Sequence, residues 1–236
     1  MSSSRRSRAS LASLALLALL AFAPGARAAS SHPLTVPAAG HLEWSRIAVR
    51  SKPARSAPII TRLSEFEPDF RRRIILALDV RKNAKGAAAW YKISLPGRPN
   101  GRTGWVPAAS VSLKPVYREI VIRRSQRVLE LHDHGRVVFR TKVAVGRPGM
   151  ETPLGTFYVI WGFHPPNSFL GPWAFATSAY SKLSDWPGGG IVGIHGTSEP
   201  QYLGQAVSHG CVRVSNSGIL TLKRFVHAGT PIRILR

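Results

Sequence analysis

From residue 41 onward the chain is a succession of short apolar runs, each closed by turn residues, and that rhythm restricts it to a mainly β architecture. Ile47-Ala48-Val49 precedes Ser51-Lys52-Pro53, and Ile74-Ile75-Leu76-Ala77-Leu78 precedes Lys82-Asn83-Ala84-Lys85-Gly86. Trp90-Tyr91-Lys92-Ile93 and Gly104-Trp105-Val106-Pro107 flank the loop Pro96-Gly97-Arg98-Pro99-Asn100-Gly101. Runs this short, bounded by Gly, Pro, Asn and Ser, read as strands joined by tight connections. Only near the C-terminus does the period change. Ile219, Leu222, Phe225 and Val226 recur at helical spacing behind Ser215 or Asn216 as a cap. Gly229 would end that helix ahead of a last strand, Pro231-Ile232-Arg233-Ile234-Leu235.

The strand pattern divides into two units. Residues 41–115 predict a small barrel, and residues 116–236 predict a mostly β domain with the one helix. In the second unit Tyr117–Ile122 and Arg127–His132 read as paired strands, and Asp133-His134-Gly135-Arg136 reads as a hairpin turn into Val137-Val138-Phe139. Lys142–Gly146 and Gly155–Ile160 add strands, joined through Thr152-Pro153-Leu154-Gly155. The segment from Pro165-Pro166-Asn167 to Tyr180, with Trp173 and Trp186 near it, reads equally as a lid over a site or as a packed loop. The order of features in 41–115 resembles bacterial SH3-like domains, through Val49-Arg50-Ser51-Lys52-Pro53, Trp90-Tyr91-Lys92-Ile93 and Gly104-Trp105-Val106-Pro107. That resemblance implies a module that binds wall peptides or positions a catalytic neighbour. A packing module that binds nothing is the alternative.

The first residues predict export. Arg5, Arg6 and Arg8 precede the apolar stretch Leu11–Ala23, and Ala26-Arg27-Ala28 follows. That is the pattern of a secretory signal, residues 1–28, cut after Ala28. The apolar run is short for an uncleaved anchor, since a span needs about 20 residues. The Arg5-Arg6 pair leaves both the general and the twin-arginine routes open. Residues 29–40, with Pro33, Pro37 and several small residues, read as a linker. Nothing later is long and apolar enough to span a bilayer.

The chain carries 33 Lys and Arg against 11 Asp and Glu, a net charge of +22. Removing residues 1–28 would take away four arginines and no acid, leaving the charge near +18. Such a charge favours anionic surroundings. An exported chain without zinc-finger or RNA-binding motifs is a poor candidate for nucleic acid. Anionic wall polymers or membrane headgroups fit better, although the charge could equally serve solubility alone.

Chemistry gathers around the only cysteine, Cys211, in Ser208-His209-Gly210-Cys211-Val212-Arg213. One cysteine allows no internal disulfide, and an unpaired thiol in an exported protein is a buried passenger, an intermolecular bridge or a reactive group. His195 ends the apolar run Ile191-Val192-Gly193-Ile194, and a loop could return Cys211 to its side. A free thiol titrates near about 8.5, so a nucleophilic cysteine needs a base such as histidine beside it. The base needs an orienting partner on its other ring nitrogen. Glu199 and Asp185 are the acids nearby in sequence, and the backbone carbonyl of Gly196 is the alternative. Gly210 would let the amides of His209, Gly210 and Cys211 face a reacting carbonyl as an oxyanion hole. Arg213 presents a cationic fork suited to a substrate carboxylate. A structural cysteine or a metal site of His195, His209 and Cys211 are the competing readings, but Gly, His and Arg are not core neighbours. No established metal-ligand spacing is present.

These residues carry a resemblance. Gly193-Ile194-His195-Gly196-Thr197, followed after a spacer by Ser208-His209-Gly210-Cys211-Val212-Arg213, resembles the signature of the L,D-transpeptidase catalytic domain of YkuD type. Thr152-Pro153-Leu154-Gly155-Thr156-Phe157 and Gly229-Thr230-Pro231-Ile232 are also similar to that family, so the likeness runs over 117–236. It implies a YkuD-type β-sandwich with a short helix, behind the SH3-like barrel. It implies Cys211 as nucleophile, His195 as base and Gly196 as its orienting carbonyl. His209 and Gly210 join the catalytic set, and Arg213 and Ser208 bind substrate. The implied substrates are peptidoglycan stem peptides. A tetrapeptide donor loses D-alanine to a Cys211 thioester, and a second stem's amine resolves it into a 3→3 cross-link. Carbapenem acylation of Cys211 is implied too, with no metal and no organic cofactor. Water as acceptor would instead make an L,D-carboxypeptidase, and a silent site would leave a wall-binding protein. The expected location is the periplasm or cell wall.

Overall fold

The structure is a computed structural model that describes residues 34–185 and 188–236. Residues 1–28, expected as an export signal, the first residues of the expected linker and Trp186 lie outside the described residues.

The first strands are β1 (Ala38–Leu42), β2 (Arg46–Arg50), β3 (Ile59–Ser64), β4 (Ile74–Lys82), β5 (Ala88–Ser94), β6 (Thr103–Pro107) and β7 (Val111–Pro115). They form one seven-stranded sheet in the order β3-β2-β6-β5-β4-β1-β7, with antiparallel neighbours. Leu42, Ile47, Val49, Ile75, Ile93 and Val106 alternate along these strands and build its core. The linker expectation for 29–40 is corrected at its end, because Ala38–Gly40 already belong to β1 between β4 and β7. The small residues that suggested a linker serve close strand approach here. A side chain at Gly40 would collide with the Ser112 carbonyl on β7.

The second group is β8 (Arg118–Arg123), β9 (Val128–Asp133), β10 (Arg136–Lys142), β11 (Val145–Gly146), β12 (Gly155–Phe163), β13 (Ala174–Tyr180), β14 (Ile191–His195), β15 (Ala206–Ser208), β16 (Val212–Arg213) and β17 (Pro231–Leu235), with helix α1 (Asn216–Phe225). Eight strands run in the order β10-β9-β8-β17-β12-β13-β14-β16, and β11 pairs with β15. The β9–β10 turn has His134 at φ 49° and Gly135 at φ 77°, the twist that a two-residue hairpin requires. Strand β12 joins the two halves of this sheet. Gly155–Tyr158 pair with β17 and Val159–Phe163 with β13. The halves close on one core of Ile120, Leu131, Phe157, Val159, Phe175 and Ile194, completed by Ile219 and Leu222 of α1.

Helix α1 is capped by Ser215, whose hydroxyl accepts the Gly218 N–H. Phe225 departs from the expected apolar face. It is partly exposed beneath the guanidinium groups of Arg118 and Arg224. The two sheets belong to one packed unit, with Tyr158 of β12 buried among Ala39, Ile74 and Leu76 and donating to the Ile74 carbonyl.

Candidate active site

Parallel pairing of β14 with β16 brings the two halves of the motif together. Ile194 stands opposite Val212 and His195 opposite Arg213, so Cys211 enters β16 beside Gly193. The Gly193 N–H donates to Cys211 Sγ at 3.3 Å. A Cβ built on Gly193 would stand 3.6 Å from His195 Cδ2 and 3.8 Å from Sγ, so imidazole and thiol face the same small space.

His195 is 3% exposed, and its Nδ1 lies 2.6 Å from the Gly196 carbonyl oxygen. A carbonyl can only accept, so Nδ1 carries the proton and Nε2 keeps a lone pair. Burial holds the imidazole down at about 4, with Arg213 adding to the effect and the Gly196 carbonyl opposing it. Burial also pushes the Cys211 thiol above its ordinary value, while the Gly193 amide and the Arg213 charge pull it back. The resting pair is therefore neutral thiol and neutral imidazole. Such a pair can move a proton from Sγ to the ring as an electrophile arrives.

The turn before Cys211 is held from both sides. Ser208 Oγ donates to the Cys211 carbonyl at 2.6 Å and accepts the Gly210 N–H at 3.1 Å. Thr152, fully buried, donates to the Gly210 carbonyl and accepts the Gly146 N–H, both at 2.9 Å. Gly210 sits at φ 119°, a conformation that favours glycine. Its flank packs on Ser181, whose Cβ would be 2.9 Å from a Cβ at 210.

A cavity of about 250 Å³ opens above the thiol, lined by Asn167, Phe169, Leu170, His195, Ser208, His209, Cys211 and Arg213. His195, Ser208, His209, Cys211 and Arg213 line it, while Gly196 and Gly210 do not and act as chain neighbours of His195 and Cys211. The Ser208 hydroxyl is committed to the turn rather than turned to a ligand. Arg213 is mostly buried, with its guanidinium donating to Glu199 Oε2 at 2.6 Å and lying 4.9 Å from the Phe169 ring centre. Glu199 thus partners Arg213 and not the imidazole. Among the described residues no group of three or more His, Cys, Asp and Glu is placed to hold a metal ion.

The segment left open as lid or loop divides in two. Ala174–Tyr180 is strand β13, buried on both faces and paired with β12 and β14. Only 164–173 remains a loop, and its Ser168–Leu170 turn covers the cavity. Its Gly171 packs backbone to backbone against Gly196.

The model of the family described as the L,D-transpeptidase catalytic domain, YkuD, matches residues 117–234. The chain belongs to the YkuD L,D-transpeptidase family. It is 32% identical over 174 residues to YkuD of Bacillus licheniformis, provisionally named an L,D-transpeptidase, covering 73% of this chain and 92% of the relative. YkuD of Bacillus subtilis strain 168 is 29% identical over 175 residues, covering 74% and 93%. Among solved structures, an L,D-transpeptidase from Mycobacterium tuberculosis H37Rv aligns with a TM-score of 0.47 at 16% identity, covering 70% of this chain and 90% of that one. The Ldtfm-avibactam carbamoyl enzyme aligns with a TM-score of 0.43 at 23% identity, covering 56% of this chain. The transpeptidase spans about half, 54%, of that enzyme's chain.

Three contributors to the transpeptidase site escaped sequence reasoning. Thr152 was quoted only within a family-like turn, and Gly193 only within an apolar run and the signature string, neither with a role of its own. Asn216 was read as a candidate helix cap, yet its Oδ1 accepts the Thr197 N–H, tying α1 to the residues after His195.

Proposed function

We propose that this chain is an exported cysteine L,D-transpeptidase that forms 3→3 cross-links between peptidoglycan stems. The observation that carries the reading is the Gly193–Cys211–His195 arrangement, with Nδ1 fixed on Gly196 and Nε2 left as a base. Cys211 Sγ gives its proton to His195 Nε2 and attacks the carbonyl carbon of the third residue of a tetrapeptide stem. The Cys211 amide at the end of the turn receives the oxyanion, while the Gly210 N–H stays on Ser208 Oγ and holds the turn in shape. The C–N bond to the terminal D-alanine breaks, its nitrogen takes the proton from His195, and a thioester remains. The side-chain amine of a second stem attacks that thioester, forming the new amide bond. Its proton returns through His195 to the departing sulfur.

Arg213, with its Glu199 partner, sets the charge at the donor end of the cavity, and His209 lines it. The β1–β7 sheet is the SH3-like module of the resemblance, and residues 1–28 direct the chain to the periplasm or wall. There its positive charge suits anionic polymers.

The test is intact-mass measurement of wild-type and Cys211→Ala protein after exposure to imipenem, followed by incubation with tetrapeptide muropeptides. One adduct on wild type only, together with 3→3 dimers, is expected. Tripeptide without dimers would replace transfer by hydrolysis. No adduct and no D-alanine release from folded protein would overturn the enzyme reading in favour of a wall-binding protein.

A further inference from the structure

The Pro96–Gly101 loop, which connects β5 to β6 in the first sheet, reaches across to the neck of the β13–β14 connection. Arg98 Nη1 donates to the Gly189 carbonyl at 3.0 Å, and Nη2 donates to the Ser181 and Leu183 carbonyls at 3.0 and 2.6 Å. The same guanidinium lies 4.9 Å from the centre of the Tyr180 ring. Asn100 takes both backbone groups of Tyr180, accepting its N–H at 3.0 Å and donating to its carbonyl at 2.7 Å. Two side chains from one sheet thus supply every polar arm of a clamp on the other. The loop they hold is closed by Ser181 N–H donating to Gly190 at 2.8 Å.

The clamped residues touch the site at Ser181, the wall against which Gly210 packs on the turn before Cys211. Strand β14, which carries the Gly193 amide and His195, is held separately by its pairing with β13 and β16. An arginine satisfying several carbonyls at once resists displacement, because releasing it leaves each carbonyl without its donor. Thr152 and Ser208 hold the Gly210 turn from within the domain, and Ser181 closes its remaining side.

We propose that Arg98 and Asn100 are positioning residues for acyl transfer, acting through Ser181 on the Gly210 turn. The inference rests on the Cys211 nucleophile reading above. It gives the first sheet a part in the chemistry of the second without contact with substrate. Removing the clamp lets Ser181 and the Gly210 turn relax. The oxyanion then loses its aligned donor while the thiol itself, set by Gly193 and Arg213, stays as reactive as before.

Two reagents separate these effects. Iodoacetamide alkylates a thiolate without forming an oxyanion at a carbonyl, whereas imipenem must form one. Rates with both are measured on wild type, Arg98→Ala and Asn100→Ala, each on protein shown to be folded by a cooperative unfolding transition. In the clamp variants imipenem acylation is expected to fall at least about tenfold, the scale of a misaligned oxyanion donor. Iodoacetamide rates should stay within about twofold, and Arg98→Lys, a single point donor, should recover only part of the loss. Acylation within about twofold of wild type in both alanine variants would overturn the inference, and so would equal loss with both reagents. Wild-type protein that takes iodoacetamide but no imipenem would overturn the parent reading and this inference with it.

Discussion

His195 Nδ1 donates to the carbonyl of Gly196, its own neighbour in sequence, across 2.6 Å. The orienting group is therefore neutral and built into the strand end. A carboxylate in that place would stabilise the imidazolium and raise the histidine. A carbonyl does so only weakly, and burial prevails, which leaves the ring at about 4. The resting thiol and imidazole are both uncharged, so charge appears only as substrate is attacked.

This fixes the pH response of acylation. The acid limb of the imipenem rate constant should fall near pH 4, not near the 6.5 of an ordinary histidine. Stopped-flow acylation between about pH 3.5 and 8, a window that holds both values, reads it directly. A limb near 6.5 would contradict the buried, carbonyl-paired ring.

The same shift appears in stability. Between about pH 6.5 and 4 the unfolded chain binds a proton at this position and the folded chain does not. Stability from the neutral ring is complete above 6.5 and is lost as pH falls toward 4, by about 3 kcal/mol. Denaturant titrations across that range should show the slope in wild type, and a flatter profile in His195→Gln.

How much of this was legible depends on whether the signal was local. The 133–136 turn, the Ser215 cap and the Cys211–His195 pair were readable because each depends on a few adjacent residues or a distinctive motif. Strand β13 was not. Ala174-Phe175-Ala176-Thr177-Ser178-Ala179 is covered on both faces, so no polar alternation marks it, and its small residues read as loop. Ala38–Gly40 failed for a related reason, since close approach to β7 selects the same residues as a linker does. The Arg213–Glu199 pair and the Arg98 clamp link positions far apart in sequence, and no local pattern announces such pairing.

Thr152 supports the site from inside. Its hydroxyl uses both donor and acceptor on buried backbone, Gly210 and Gly146. Thr152→Val keeps the shape and strands both groups, at about 1–3 kcal/mol each. Thermal or denaturant unfolding should therefore show a loss of roughly 2–6 kcal/mol, with Thr152→Ser retaining most of the stability. A neutral Thr152→Val would mean that the turn finds other partners.

Arg213 bears on the thiol through charge. It is one of two groups that draw the Cys211 pKa down against burial. Arg213→Gln should move the pH midpoint of iodoacetamide alkylation upward. Glu199→Gln, by freeing the guanidinium from its acid, should move it downward. Two midpoints shifting in the same direction would show that the pair acts by packing.

Gly193→Ala separates folding from chemistry most sharply. A Cβ there meets Phe175 O at 3.5 Å, His195 Cδ2 at 3.6 Å and Sγ at 3.8 Å, all ordinary contacts. The fold should accept the methyl, and a strand residue changed from Gly to Ala gains about 0.5–1 kcal/mol from the unfolded chain's lost freedom. The methyl nonetheless fills the space that thiol and imidazole share, where displacements of about 1 Å cost on the order of 100-fold in rate. Unfolding should show equal or higher stability, while imipenem acylation falls on that scale. A variant as active as wild type would mean that proton transfer runs outside the space beside Gly193.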